Sequence, residues 1–134
     1  MMVKTHKDLE VWKNSVDFVA ALYQTTKSLP KEEIYGLTSQ MRQSAVSIPS
    51  NIAEGSARKH DGEFRQFLYI ALGSAAELDT QLVIARKLEY LNEQDYLQFS
   101  NALSTISRML QGLIRSIKTR NSPITNHQSL ITNH

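Results

Sequence analysis

Hydrophobic side chains recur at steps of three and four along four stretches of the chain, which is the spacing of an amphipathic helix. The stretches are separated by short segments near residues 29–36, 59–62 and 91–92. The apolar positions are, in chain order, Leu9, Trp12, Val16, Val19 and Tyr23; Leu37, Met41, Ala45, Ile48 and Ile52; Phe64, Leu68, Ala71, Ala75, Leu78, Leu82 and Ala85; and Tyr96, Phe99, Leu103, Ile106, Leu110, Leu113 and Ile117.

Alternating steps of three and four keep these residues on one seam of each helix, as in helices packed about 20° from antiparallel. Because the connections are short, consecutive helices become antiparallel neighbours. The sequence therefore predicts an all-α fold, an antiparallel up-down-up-down four-helix bundle. Thr5 with Asp8 predicts a capping box before the first helix, and Asn92 predicts a cap for the fourth.

One proline lies inside the second helical stretch. The apolar spacing from Met41 to Ile52 runs across Pro49 without a change of phase. A proline within a helix cannot donate a hydrogen bond to the carbonyl four residues earlier and crowds it, at a cost of roughly 3 kcal/mol. We therefore predict that the second helix continues through Pro49 and bends there, shaping the bundle or a subunit contact.

Polar residues form a stripe beside the apolar seam of the second helix. Its members are Gln40, Ser44, Ser47, Asn51, Glu54 and Arg58. Glu54 and Arg58 have the spacing of an i,i+4 ion pair, and Ser74 and Glu77 provide polar groups at a comparable level of the third helix. Two carboxylates so placed could support acid–base chemistry or a metal, but we favour a hydrogen-bonded layer that fixes helix register.

Further apolar residues lie outside the main seams. They are Val46, Ala53 and Ala57 on the second helix, and Phe67, Ile70, Leu72, Val83, Ile84 and Leu88 on the third. A helix with two apolar surfaces is more buried than the outer helix of a single bundle needs to be. The surplus predicts a subunit interface; the alternative is a wide core face in a small bundle.

Three runs of sequence carry a resemblance to a known family. They are YGLTSQMRQSAVSI, SIPSNIAEGSAR and FRQFLYIALGSAAELDTQL, in the family's order and spacing over about residues 7–118. The chain resembles the bacterial four-helix-bundle proteins encoded within 23S rRNA intervening sequences, whose fold is shared with the accessory protein of diversity-generating retroelements. The resemblance implies a ring-shaped homopentamer without enzymatic activity. Some members bind nucleic acid through a basic surface, and the retroelement relatives contact a reverse transcriptase.

Basic residues are unevenly distributed, although the net charge is only +2. No acidic residue follows Asp95. Clustered cations bind phosphates by releasing counterions; cations near a helix C-terminus also complement its macrodipole, which is the alternative explanation. The predicted nucleic-acid contacts are Arg108, Arg115, Lys118 and Arg120, with Lys4, Lys7 and Lys13 near the first helix and Arg58 and Lys59 after the second.

Composition and motifs narrow the remaining possibilities. We predict one bundle domain over residues 1–120 and a disordered tail over 121–134, where Ile-Thr-Asn-His occurs twice. The chain has no cysteine, which excludes disulfides and thiolate metal sites. No histidine follows a glutamate by three positions, as the di-iron bundles require, so we predict no cofactor. No signal-peptide pattern or long uninterrupted apolar run is present, so we expect a soluble, cytoplasmic protein that does not enter a membrane.

These observations leave three functions open. The first is an oligomer that binds structured RNA, or RNA–DNA, through phosphates. The second is an interaction scaffold whose partner is a protein, such as a reverse transcriptase. The third is a ribonuclease that uses Arg120 and His127, whose spacing resembles the helical-bundle ribonucleases of toxin systems. Because Pro123 lies between Arg120 and His127, we predict that the protein is not an enzyme.

Overall fold

The computed structural model describes residues 5–121, which fold as four helices. The helices are α1 (Glu10–Thr26), α2 (Leu37–Ser56), α3 (Asp61–Lys87) and α4 (Glu93–Asn121), with short 3-10 helices at His6–Asp8 and Lys31–Glu33. The described part of the chain contains no strand. The predicted all-α four-helix bundle is therefore confirmed. Apart from Asn121, which ends α4, the predicted tail lies outside the described residues.

Each helix packs against its neighbours in chain order, and α4 also packs against α1. Contacts between α2 and α3 run in opposite directions along the two helices. Ser47 of α2 contacts Ser74 of α3, whereas Gly55, further along α2, lies beside Phe64 and Phe67, which come earlier in α3. Helices α2 and α3 are therefore antiparallel, and the full up-down-up-down order stays a prediction.

The core lies along one side of every helix, and α2, α3 and α4 use the predicted seams. Met41, Leu78 and Leu110, one from each of these helices, are completely buried. Flanking positions of the same seams, such as Leu37 and Leu113, are half-buried and pack against the core. Apolar spacing therefore identified the buried face of three helices.

The first helix buries a face that only partly matches the predicted seam, of which Leu9 is buried and Trp12 and Val19 pack half-buried against the core. Its buried residues are Val11, Ser15, Phe18, Leu22 and Thr26. Val16 and Tyr23, from the predicted seam, are each 37% exposed. The prediction was wrong for these two positions because α1 is apolar on two sides, and steps of three and four fit both of them.

The two predicted helix caps have different outcomes. Asn92 Oδ1 accepts a hydrogen bond of 2.7 Å from the backbone N–H of Asp95, so the cap of α4 is confirmed. Thr5 instead precedes the first 3-10 helix, where its Oγ1 accepts a 3.1 Å bond from the N–H of Lys7. The helix α1 begins later, at Glu10, and no side chain caps it.

Helix α2 runs without interruption through Pro49, which is buried. Asn51, two residues later, uses its side-chain Nδ2 to donate to the carbonyl of Ser47 at 2.8 Å. That bond does not reach the carbonyl of Ala45, which is the one that Pro49 leaves without its helical donor. The bend at Pro49 stays a prediction.

Helix α3 is long and apolar and is incompletely covered. By length and composition alone it could cross a membrane, a property that the core helices of soluble bundles share; only 39% of its apolar window is buried. Phe67, Leu72 and Val83 from the predicted surplus are half-buried against the bundle. Ile70 and Ile84, however, are 50% and 42% exposed. An apolar strip therefore remains on the outside of α3.

Candidate nucleic-acid interface

A hydrogen-bonded polar layer joins α2 to α3. The hydroxyl oxygens of Ser47 and Ser74 are 2.7 Å apart. Asn51 Nδ2 donates to the Ser47 hydroxyl at 2.9 Å. All three side chains are half-buried, so each partner would be costly to leave unpaired. This layer ties one position along α2 to one position along α3 and so opposes sliding of the two helices.

The two predicted carboxylates are engaged differently. Glu54 forms a 2.9 Å ion pair with Arg58, whose guanidinium also lies 4.7 Å from the centre of the Phe67 ring. Glu77 is exposed and has no hydrogen-bond or ion-pair partner within residues 5–121. In this part of the chain no group of three or more His, Asp or Glu side chains could hold a metal ion. The arrangement is that of a structural layer rather than of a reaction centre.

Basic side chains are concentrated where α2 ends and α3 begins. Lys59 is exposed in the connection, and His60 is the exposed residue that precedes α3. Arg65, one turn into α3, is half-buried. Arg65 was not among the predicted contacts, which at this turn were only Arg58 and Lys59.

The predicted cations of α4 lie on its exposed side. Arg108 donates to the hydroxyls of Ser104 at 2.9 Å and Thr105 at 3.2 Å, neighbours on the same helix. Arg115 is also exposed. Neither arginine has a carboxylate partner among the described residues. The backbones of Lys118 and Arg120 belong to α4, but their side chains lie outside the described part of the structure, as do Lys4 and the proposed nuclease residue His127.

The cations of the first helix lie beside these residues. Lys13 forms a 3.3 Å ion pair with Glu10 and is largely exposed. Lys7 is exposed in the preceding 3-10 helix, which packs against α2. Asn14 Nδ2 donates to Met109 Sδ at 3.3 Å and so holds the start of α1 against the second half of α4.

These contacts bring most of the predicted cations to one end of the bundle, which we call the basic end. It contains the start of α1, the α2–α3 connection and the last turns of α4. Gly55 beside Phe64 and Asn14 beside Met109 fix this arrangement. Both ends carry both signs of charge: Asp61 and Glu63 lie in the first turn of α3 at the basic end, and Arg86 pairs with Glu93 at 3.7 Å at the opposite end. Arg108 lies between the two ends, on the outer side of α4.

Comparison with known proteins agrees with this architecture. Among solved structures, a protein of unknown function from the S23 ribosomal protein family of Bacteroides thetaiotaomicron is similar, with 26% identity and a TM-score of 0.73, over 78% of this chain and 95% of that one. No curated protein matches the chain. The family model described as 23S rRNA-intervening sequence protein matches residues 7–112, which include α1, α2, α3 and most of α4. The chain therefore belongs to the 23S rRNA-intervening sequence protein family.

Proposed function

We propose that this protein is a non-enzymatic, oligomeric helical bundle that binds structured RNA through its phosphates. The observation that carries the proposal is that the basic end and the outer side of α4 carry exposed cations without carboxylate partners among the described residues: Lys7, Lys59, Arg115 and Arg108. Such side chains can neutralise phosphates without first breaking an ion pair. Lys13 and Arg58, which are held by Glu10 and Glu54, contribute less on this account.

Oligomerisation makes a modest patch of charge sufficient. One protomer offers only a few free cations, which is a weak footprint for nucleic acid. In an assembly the same patch is repeated in every protomer, and one RNA that spans several patches gains affinity through effective concentration. The ring-shaped homopentamer implied by the family resemblance would give this repetition.

Fluorescence anisotropy tests the proposal. The purified protein is titrated into a labelled, structured rRNA stem at a series of salt concentrations. We expect tight binding at low salt and a log–log salt slope of several units, at roughly 0.7–0.9 per phosphate neutralised. Absence of binding at low salt, or an affinity that does not change with salt, would contradict the proposal.

A protein-binding scaffold is the second candidate, and the end of the bundle opposite the basic end favours it. Tyr35 is 94% exposed there, in the α1–α2 connection, and the neighbouring Ile34 is also exposed. Leu88 is exposed just after α3. It belongs to the same end of the bundle, because the nearby Tyr90 donates a 3.1 Å hydrogen bond to Glu33 in the α1–α2 connection. Salt-insensitive binding to a protein such as a reverse transcriptase, lost on Tyr35→Ala, would support this candidate.

A further inference from the structure

Two surfaces with exposed apolar side chains, on different sides of the bundle, have no partner within the protomer. The first is the α1–α2 groove, lined by Val16, Val19, Ala20, Tyr23, Val46 and Pro49. The second is the outer face of α3, made of Ile70, Gly73, Glu77 and Ile84. Within one protomer they cannot meet, because one lies between α1 and α2 and the other points away from the bundle.

The outer face of α3 has a feature that its own fold does not explain. Gly73 lies in the middle of the helix, and a β-carbon built on it would have no neighbour within 4 Å. A glycine in a helix interior costs roughly 0.5–1 kcal/mol relative to alanine, so the missing side chain has no benefit inside the protomer. The missing side chain becomes a benefit when the backbone of another molecule approaches Gly73 closely.

The charges of the two surfaces are complementary. The groove is lined by no acidic residue, and at one of its ends the guanidinium of Arg42 lies 4.5 Å from the centre of the Tyr23 ring. Lys27, the exposed residue that follows α1, lies one turn beyond Tyr23 on the same side of the helix. On α3, Glu77 has no ion-pair partner in the described chain.

The spacing of apolar and charged residues along α3 also matches the spacing along α1. Glu77 is seven residues from both Ile70 and Ile84, and Lys27 is seven residues from Ala20. Seven residues are two helical turns, or about 10.5 Å. When one of the isoleucines lies against Ala20 in the groove, Glu77 can therefore reach the cations at the Tyr23 end.

We propose that the outer face of α3 of one copy of this chain docks into the α1–α2 groove of a second copy. This inference rests on the proposed oligomer and names its interface. Because the two surfaces differ, the contact is heterologous: each protomer uses its groove for one neighbour and its α3 for another, and the chain of contacts closes into a ring or extends.

Complementary variants test this pairing. Ile70→Glu with Ile84→Glu places charges on the outer face of α3 and leaves the groove unchanged. Ala20→Glu with Val46→Glu places charges in the groove and leaves the outer face of α3 unchanged. All four positions are exposed, so circular dichroism should show folded bundles. Leu97→Glu, at an exposed apolar position of α4, is the matched control. Oligomeric state is measured by analytical ultracentrifugation over a range of concentrations.

We expect the wild type and Leu97→Glu to form the same oligomer and each double variant to be monomeric. An equimolar mixture of the two double variants should form a dimer containing one of each, because one intact groove and one intact α3 face remain. A mixture that stays monomeric, or a double variant that assembles like the wild type, overturns the pairing alone. A monomeric wild type overturns the proposed oligomer as well, so the two failures are distinguishable.

Charge reversal tests the register. Glu77→Lys should weaken the oligomer, and adding Lys27→Glu in the same chain should restore part of it, since the cation on α3 of one copy then meets a carboxylate beside α1 of the next, while Arg42 keeps its charge. Lys31→Glu, at an exposed position of the α1–α2 connection, is the control and should not restore assembly. Equal effects of Lys27→Glu and Lys31→Glu would overturn the register.

Discussion

A β-carbon added to Gly55 of α2 would lie 2.7 Å from the β-carbon of Phe67 in α3. The same atom would be 3.0 Å from the Phe64 ring and 3.2 Å from the Phe64 carbonyl oxygen. At least two of these neighbours are fixed by the α3 backbone and cannot move aside cheaply. Gly55 therefore sets how closely α2 and α3 approach at the basic end of the bundle.

Gly55→Ala should reduce the free energy of unfolding by about 1–3 kcal/mol, because the added methyl group forces α2 and α3 apart. Gly112→Ala is the control, since a β-carbon there meets only the Arg115 side chain at 3.8 Å and alanine raises helix propensity. Urea unfolding measures both. Equal stability of the two variants would show that the close approach at Gly55 does not constrain the bundle.

The Ser47–Ser74 hydrogen bond should couple α2 to α3 energetically. A double-mutant cycle with Ser47→Ala and Ser74→Ala isolates that coupling from the helix propensities of the single changes. We expect a coupling of about 0.5–1.5 kcal/mol, the usual net value of an intramolecular hydrogen bond. Ser47→Ala paired with the exposed Ser50→Ala serves as the control cycle. Additive effects in the Ser47–Ser74 cycle would mean that the layer does not fix register.

Tyr90 should make the stability of the protein fall at alkaline pH. Its hydrogen bond to Glu33, with desolvation and the negative charges of Glu33 and Glu32, raises the pKa of the phenol above its usual value of about 10. A raised folded-state pKa gives stability that is complete below pH 10 and is lost as the pH rises through that pKa. The stability difference between wild type and Tyr90→Phe should therefore shrink above pH 10; a constant difference would contradict the linkage.

Pro49 should shape either the fold or the assembly. It is buried in α2 and lines the α1–α2 groove, and its ring removes one helical hydrogen bond to Ala45. Pro49→Ala restores the donor and should change the oligomeric state or the melting temperature. If sedimentation and thermal unfolding are both unchanged, the predicted bend has no role in shaping the bundle or its contacts.

Sequence pattern predicted the bundle because its four helices are long and strongly periodic, and because seams such as Met41–Ile52 face one core. It failed for part of α1, where Val16 and Phe18 lie on two different apolar faces and only packing decides which is buried. The spacing of polar residues along α2 predicted the polar layer, but the pairing of Ser47 with Ser74 depends on the register of α2 against α3. Nothing local marks Gly55 as a close contact, since Phe67 approaches it only after α2 and α3 pack.

The central claim is that RNA binds through the basic end, and its most direct test compares the effect of removing cations from each end of the bundle. Lys59→Ala with Arg115→Ala removes two exposed cations from the basic end, and Lys31→Ala with Lys87→Ala removes the same charge from the opposite end. Salt-dependent affinity for a structured RNA stem is measured by fluorescence anisotropy. We predict that the first pair weakens binding and reduces the salt slope by about one unit for each phosphate contact removed, whereas the second pair changes neither. Equal effects of the two pairs would contradict RNA binding through the basic end.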